Sequence, residues 1–468
     1  MPEQPTVTPA ADKLREAVAA GFPTAVADLS ALVRIPSVSW DGFDHAHVRA
    51  SAEAVAALAE GTGVFDEVEI VQVPIAEGGP LGLPAVIATR AARNGRPTIL
   101  LYAHHDVQPP GDDDAWESTP YEPTLRGERL YGRGAADDKA GVMAHIGAIR
   151  ALVDVEGGDP DVGLVLFAEG EEEFGSRSLP EILRRYRDKL AADVMVVADS
   201  GNWDLETPAL TIALRGAVAF NLRVTTLEHA NHSGMMGGAV PDAPMAAIQL
   251  LNTLWNPDGS VAVKGLTSHA ESTPEYGEEK LREESGLLDS VTPIGSGEIL
   301  HRLWYQPAIT VTGMDIPSIK NASNTLVPSV RVRLSSRVAP GQTWQEALAA
   351  IEAHLHANVP HGARIEIEDL DHGNPFLVDT SGWAAADALG TMTEAFGKEA
   401  VEIGAGGSIP FIADLVEMFP GAQILITGVE DPDSRPHSPN ESVHLPTFQR
   451  AILAEALLLA RLNARSGE

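Results

Sequence analysis

The sequence predicts an α/β protein: a mostly parallel sheet flanked by helices, interrupted by an inserted α+β domain. Three observations lead there. Short apolar runs alternate with helical periods as far as about residue 208. The pattern then becomes strand-rich around a long polar stretch, and the α/β alternation returns from about Asn374. The length, 468 residues of which 44% are hydrophobic, suits two or three domains and excludes wholesale disorder.

In chain order, the first dozen residues are Pro/Thr/Ala-rich and read as loose. Phe22, Val26, Leu29 and Val33 recur at helical spacing, so an amphipathic helix should run into Ile35-Pro36. A second helix is expected around Val48–Leu58. Val68–Val73, Ala85–Thr89, Thr98–Ala103, Leu164–Ala168 and Val194–Ala198 read as strands, with Ala140–Val153 and Leu179–Tyr186 helical. In the inserted block, Thr211–Leu214, Ala219–Val224, Ile309–Thr312, Val330–Arg337 and Arg364–Glu368 are expected strands. Pro244–Leu254 and Trp344–Ala357 are expected helices, and Asn256–Gly297 is a long polar stretch. Trp383–Phe396 should be helical, Ala422–Thr427 a strand, and Thr447–Leu462 a closing helix. The implied domains are 12–209 and 374–468 for the α/β part and 210–373 for the insertion.

Composition narrows the function. Cysteine is absent, which excludes disulfides, zinc–thiolate sites and a cysteine nucleophile. A net charge of −33 opposes binding to nucleic acid or anionic membrane, so neither is expected as a partner. No uninterrupted apolar run approaches the ~20 residues of a membrane span. The first residues carry neither a basic head nor an apolar core, so a cytoplasmic location is the expectation.

In open α/β sheets, ligands bind beyond the carboxyl ends of the strands, which directs attention to five segments. The strand TILLY ends in Ala103-His104-His105-Asp106, where His104 and Asp106 face together as residues i and i+2. Gly132-Arg133-Gly134-Ala135-Ala136-Asp137-Asp138-Lys139 places two carboxylates at a helix mouth, where they could cap the helix or bind a cation. Phe167-Ala168-Glu169-Gly170-Glu171-Glu172-Glu173-Phe174-Gly175-Ser176 runs from a strand into acids, a solvated loop or a ligand cluster. Asp199 ends another strand, and His437 lies in Arg435-Pro436-His437-Ser438-Pro439-Asn440-Glu441. Several carboxylates with two histidines and no sulfur suit a pair of divalent ions such as Zn²⁺ or Mn²⁺.

From Ile35-Pro36-Ser37-Val38-Ser39 to His437 the chain resembles the M20 family of metallopeptidases, on the ordered combination of HxD, GRGAADDKAG and EGEEEFGS. The resemblance implies a di-zinc peptidase catalytic domain with an inserted lid and dimerisation domain. It implies two divalent ions per subunit, zinc foremost, with manganese or cobalt as alternatives. His104, Asp137, Glu173, Asp199 and His437 would be the ligands, with Asp137 bridging and followed by a cis peptide to Asp138. Asp106 would hold the imidazole of His104, and Glu172 would be the general base.

In the insertion, entered through Leu214-Arg215-Gly216, His232 of Asn231-His232-Ser233-Gly234 would reach across a homodimer to the oxyanion. Arg337 would bind the substrate carboxylate, and Gly407 and Ser408 of Gly406-Gly407-Ser408 would contact the substrate backbone. Ala405 replaces the acid that carnosinase-like members carry before that Gly-Gly. The implied reaction is hydrolysis of dipeptides or similar small peptides by water activated between the ions. YAHHDVQPP and HSGMMGG are more similar to the dipeptidase branch; the alternative is an N-acyl-amino-acid amidohydrolase of deacetylase or desuccinylase type.

Overall fold

The computed structural model describes residues 10–406 and 410–465, and its contacts divide them between two compact units. One comprises residues up to Ile212, Val378–Ile403 and those from Asp414 onward; the other comprises Ala213–Leu377 and Gly404–Ala413.

The first unit is built on a sheet. Its strands are β1 (Glu67–Val71), β2 (Ala85–Arg90), β3 (Thr98–His104), β4 (Gly163–Glu169), β5 (Val194–Val197), β6 (Ala209–Leu214) and β7 (Gln423–Ile426), in the order β1-β2-β4-β3-β5-β7-β6. The four central strands β4, β3, β5 and β7 are parallel, whereas β1, β2 and β6 join antiparallel. The expected mostly parallel sheet is therefore present. Its central strands are buried on both faces, which is why they read as continuous apolar runs rather than alternating ones.

Helices α1 (Ala11–Val33), α2 (Ala46–Gly61) and α3 (Lys139–Val155) pack in this unit, and α1 and α3 also pack on the long helix Leu445–Ala464. Helix α1 starts inside the segment expected to be loose; residues 1–9 lie outside the described residues. It is long and apolar enough to cross a membrane by length and composition. Leu14, Val18, Ala25, Leu29, Leu32 and Val33 nevertheless form a buried stripe on it, the mark of an amphipathic core helix. Two segments not expected from the sequence, Val401–Ala405 and Pro410–Met418, form a strand pairing β6 and a helix.

The second unit contains a four-stranded antiparallel sheet, ordered Ala308–Asp315, Ser329–Val338, Gly216–Thr225 and Arg364–Gly373. Burial alternates along Gly216–Thr225 and Ser329–Val338, so one face is apolar. Val218, Phe220, Leu222, Val330, Val332 and Leu334 on that face pack with Ala247 and Leu250 of helix Ala243–Asn252 and Ile351 and Leu355 of helix Trp344–Ala357. The latter helix starts with a reciprocal Thr343–Glu346 cap, which sets its expected boundary. The polar stretch Asn256–Gly297 contains a helix, Glu278–Ser285, that apolar periodicity could not reveal because none of its residues is buried.

Candidate active site

The parallel strands deliver the acidic segments to one edge. β3 and β4 run in register with His104 opposite Glu169, so their carboxyl ends finish side by side. Asp199 follows the end of β5, which pairs with β3 on the other side. A small antiparallel sheet brings in the last segment: Ser442–His444 pairs with Arg129–Tyr131, just ahead of the Asp137 motif. His437 lies in the turn before that strand, at a φ of 60°, in the left-handed region.

Five side chains from these segments meet within the first unit. His104 Nε2 is 3.1 Å from Asp137 Oδ1 and 3.9 Å from Asp199 Oδ1. His437 Nε2 is 3.0 Å from Asp137 Oδ2 and 3.3 Å from Glu173 Oε2. Asp137 thus offers one oxygen to each histidine. Ligand atoms of His104, Asp137 and Glu173 lie within 4.8 Å of one another, as do those of His104, Asp138 and Asp199. The Asp137–Asp138 peptide is cis.

Asp106 is fully buried and braces two elements. The Nδ1 of His104 lies 3.2 Å from the Asp106 carbonyl oxygen and 3.4 Å from its Oδ1. A proton on Nδ1 leaves the Nε2 lone pair facing Asp137 and Asp199, the tautomer a ligand needs. The two Asp106 carboxylate oxygens also accept the backbone N–H groups of Glu172 at 3.2 Å and Glu173 at 3.1 Å. The HxD pattern foretold the first contact; the second joins β3 to the acidic loop and had no local signal.

Charge is crowded here. Burial opposes ionisation of Asp137, yet hydrogen bonds with His104 and His437 outweigh it and hold its pKa well below the usual range. Burial, with the nearby Asp137 adding to it, raises Glu173 to about 7 and Asp199 to about 6. Burial and Asp199 raise Glu172 well above an ordinary carboxyl. Hydrogen bonds to Asp137 and Glu173 raise His437 to about 11. Buried carboxylates outnumber the histidines that neutralise them, so the donor set fits divalent cations, whose charge balances it. The carboxylate of Glu172 has no hydrogen-bond partner among the described residues, and its main chain is pinned by Asp106.

Further residues order the site, most of them without a role assigned from the sequence. Gln108 donates to Glu173 Oε2 through Nε2 at 2.6 Å and to Oε1 through its backbone N–H at 3.2 Å. Glu441 accepts the backbone N–H groups of Ala136 at 2.9 Å and Asp137 at 3.1 Å on one oxygen, and the buried Arg133 guanidinium on the other. Asp138 accepts the His104 backbone N–H at 3.1 Å. A Cβ on Gly141 would lie 2.1 Å from Asp138 Oδ1 and 2.6 Å from the Ala198 carbonyl oxygen, so the motif requires glycine there. Lys139 is buried and donates to the carbonyls of Leu32 at 2.9 Å and Ile35 at 2.7 Å, tying the motif to the end of α1. Glu441 stood in the HSPNE segment; only its return beside Gly132 through strand pairing identifies its role.

The remaining candidates belong to the second unit. His232 is exposed and accepts the Gly234 N–H at 3.1 Å on Nδ1, capping helix Ser233–Met236. Arg337 sits near the end of Ser329–Val338, paired with Ala308 and Ala217. Gly407 and Ser408 lie outside the described residues.

The family model described as Peptidase family M20/M25/M40 matches residues 100–461. The cysteinylglycine-S-conjugate dipeptidase of Corynebacterium striatum is 34% identical over 380 residues, 80% of this chain and 83% of its own length. The Cys-Gly metallodipeptidase dug1 of Schizosaccharomyces pombe is 27% identical over 459 residues, 94% of this chain and 96% of its own. Among solved structures, the di-peptidase Dug1p from Saccharomyces cerevisiae superposes with a TM-score of 0.80 at 21% identity, over 97% of this chain and 99% of its own. That likeness shows a shared fold.

Proposed function

The chain belongs to peptidase family M20/M25/M40, and on that premise we propose that it is a metal-dependent dipeptidase. The observation that carries the reading is the meeting of His104, Asp137, Glu173, Asp199 and His437 at one sheet edge. These five are the proposed ligands of two divalent ions, zinc foremost, with Asp137 between them. Bound there, the ions would polarise the scissile carbonyl and lower the pKa of water. Glu172 takes a proton from the attacking water and returns it to the leaving amine. The support for that role is a carboxylate with no other partner among the described residues, on a backbone pinned by Asp106. Asp106 orients His104 and holds the acidic loop.

His232, from the partner subunit of a homodimer formed through the inserted unit, stabilises the oxyanion. Arg337 receives the carboxylate of a small peptide substrate, and Gly407 and Ser408 meet its backbone. The location proposed is cytoplasmic. Relatives named for Cys-Gly dipeptidase activity support free dipeptides as substrates.

The test is a panel of free dipeptides beside N-acetyl and N-succinyl amino acids. It uses metal-free protein supplied separately with Zn²⁺, Mn²⁺ and Co²⁺. Turnover of free dipeptides only after metal addition is expected. Hydrolysis confined to the acylated compounds would replace the dipeptidase reading with an amidohydrolase one.

A further inference from the structure

The eight arginines of the inserted unit differ in their partners. Arg223, Arg282, Arg331 and Arg364 each reach a carboxylate, at 2.7, 2.6, 2.6 and 3.7 Å. Arg215, Arg302, Arg333 and Arg337 reach none among the described residues, although Arg302 and Arg333 donate to the main-chain carbonyls of Ile294 and Asp369 at 2.7 Å each. Of these four, only Arg215 is buried, in a chain with 66 acidic and 33 basic residues.

The strand register puts Arg215 and Arg337 together. Arg337 lies between Ala217 and Ala308 in one row across three strands. Arg215 is two residues before Ala217, and Gln306 is two residues before Ala308. The Arg215 guanidinium donates to the Gln306 carbonyl at 3.3 Å and the Arg302 carbonyl at 3.4 Å through Nη1, so it spans the end of the strand that bears Arg337. Its Nε donates to the Gly406 carbonyl at 3.3 Å, and its backbone N–H to Ala405 at 3.3 Å. These bonds occupy Nε and Nη1; the two N–H groups of Nη2 have no partner among the described residues. Arg215 is nevertheless 91% removed from solvent, at 9% exposure. Among the described residues this cation is held only by neutral carbonyls, which leaves Nη2 open to a carboxylate.

We propose that Arg215 is a second cationic element of the receptor for the substrate carboxylate, adding its charge to that of Arg337 and making a free carboxyl terminus a requirement for tight binding. Burial and the neighbouring Arg337 lower the Arg215 pKa to about 10, which leaves it charged at neutral pH and records that the two cations feel each other. The carbonyl of Gly406 ties this cation to the start of the Gly-Gly-Ser loop assigned above to the substrate backbone.

The inference rests on the reading of Arg337 as the carboxylate contact, and the experiment separates the two. KM is measured for a free dipeptide, and Ki for the same dipeptide amide as a competitor, in wild-type protein and in R215Q, R215K and R337Q. Removing one of the two charges should raise KM for the free dipeptide roughly tenfold in R215Q. The amide Ki should stay within about twofold, because it carries no carboxylate. R215K, which keeps the charge, should restore most of the discrimination and also serves if R215Q fails to fold. Equal changes for dipeptide and amide, or none, in folded R215Q or loss of discrimination in folded R215K would overturn the inference. If R337Q leaves discrimination intact, the underlying assignment of Arg337 fails instead.

Discussion

Replacing Glu441 by alanine should damage the site from behind, without touching a proposed ligand. Its partner Arg133 is 1% exposed and Glu441 itself 0%, so water screens neither charge. Removing one side of a buried pair costs about 3–5 kcal/mol, because the other charge is left uncompensated. The N–H groups of Ala136 and Asp137 lose their acceptor as well, each at about 1–3 kcal/mol if nothing replaces it. Water entering the vacated volume offsets part of that, so about 4 kcal/mol is the expected loss. Glu441→Gln keeps an acceptor for both N–H groups but turns neutral towards the guanidinium, and should lose about 3 kcal/mol. The alanine substitution releases the backbone of Asp137, which should weaken metal binding by roughly 10–100-fold, as is usual for groups that orient ligands, and the glutamine, which keeps that acceptor, should weaken it less. Urea unfolding of metal-free protein gives the first quantity, and titration against a competing chelator gives the second. A Glu441→Ala protein with less than about 1 kcal/mol lost and unchanged metal affinity would refute the reasoning.

Glu172→Gln should keep its metal content and lose about 10²–10⁴ in kcat, measured by metal analysis beside dipeptide turnover; ordinary turnover would remove Glu172 from the chemistry. Gly141→Ala forces a Cβ against Asp138 and the Ala198 carbonyl and should cost about 1–3 kcal/mol, read as a lower Tm with weaker metal binding. His145 donates from Nδ1 to both oxygens of Glu455, 2.9 Å each, and from Nε2 to the Tyr102 carbonyl at 2.9 Å, which requires a proton on each ring nitrogen. Burial opposes that charge, and the attraction of Glu455 overrides it, so the folded pKa lies above the ordinary value of 6.5. The resulting stability is fully present below about pH 6.5 and is lost as pH rises through the folded pKa. The Tm difference between wild type and Glu455→Gln should therefore be largest in that lower range and shrink at alkaline pH; a pH-independent difference would contradict this charge state.

The regular elements were legible because their signals are local. Trp344–Ala357 and Trp383–Phe396 occur with the bounds that periodicity assigns them, and the central strands appear within a residue or two of their apolar runs. Helix Glu278–Ser285 was not legible, since a helix that buries nothing has no apolar stripe to read. The site divides in the same way. His104, Asp137, Glu172, Glu173 and Asp199 stand at the ends of strands or the mouth of a helix, places a sequence can identify.

By itself, then, the sequence determined which residues could act as ligands and on which edge of a parallel sheet they would stand, because strand period and donor chemistry are written in short segments. Only the tertiary structure decided that Glu441 clamps the Asp137 backbone, that Asp106 holds the acidic loop as well as His104, and that Arg215 lies across the end of the Arg337 strand. Those contacts join residues 304, 66 and 91 positions apart. Pairing over such distances is set by sheet register and packing, which leave no period in the local chain.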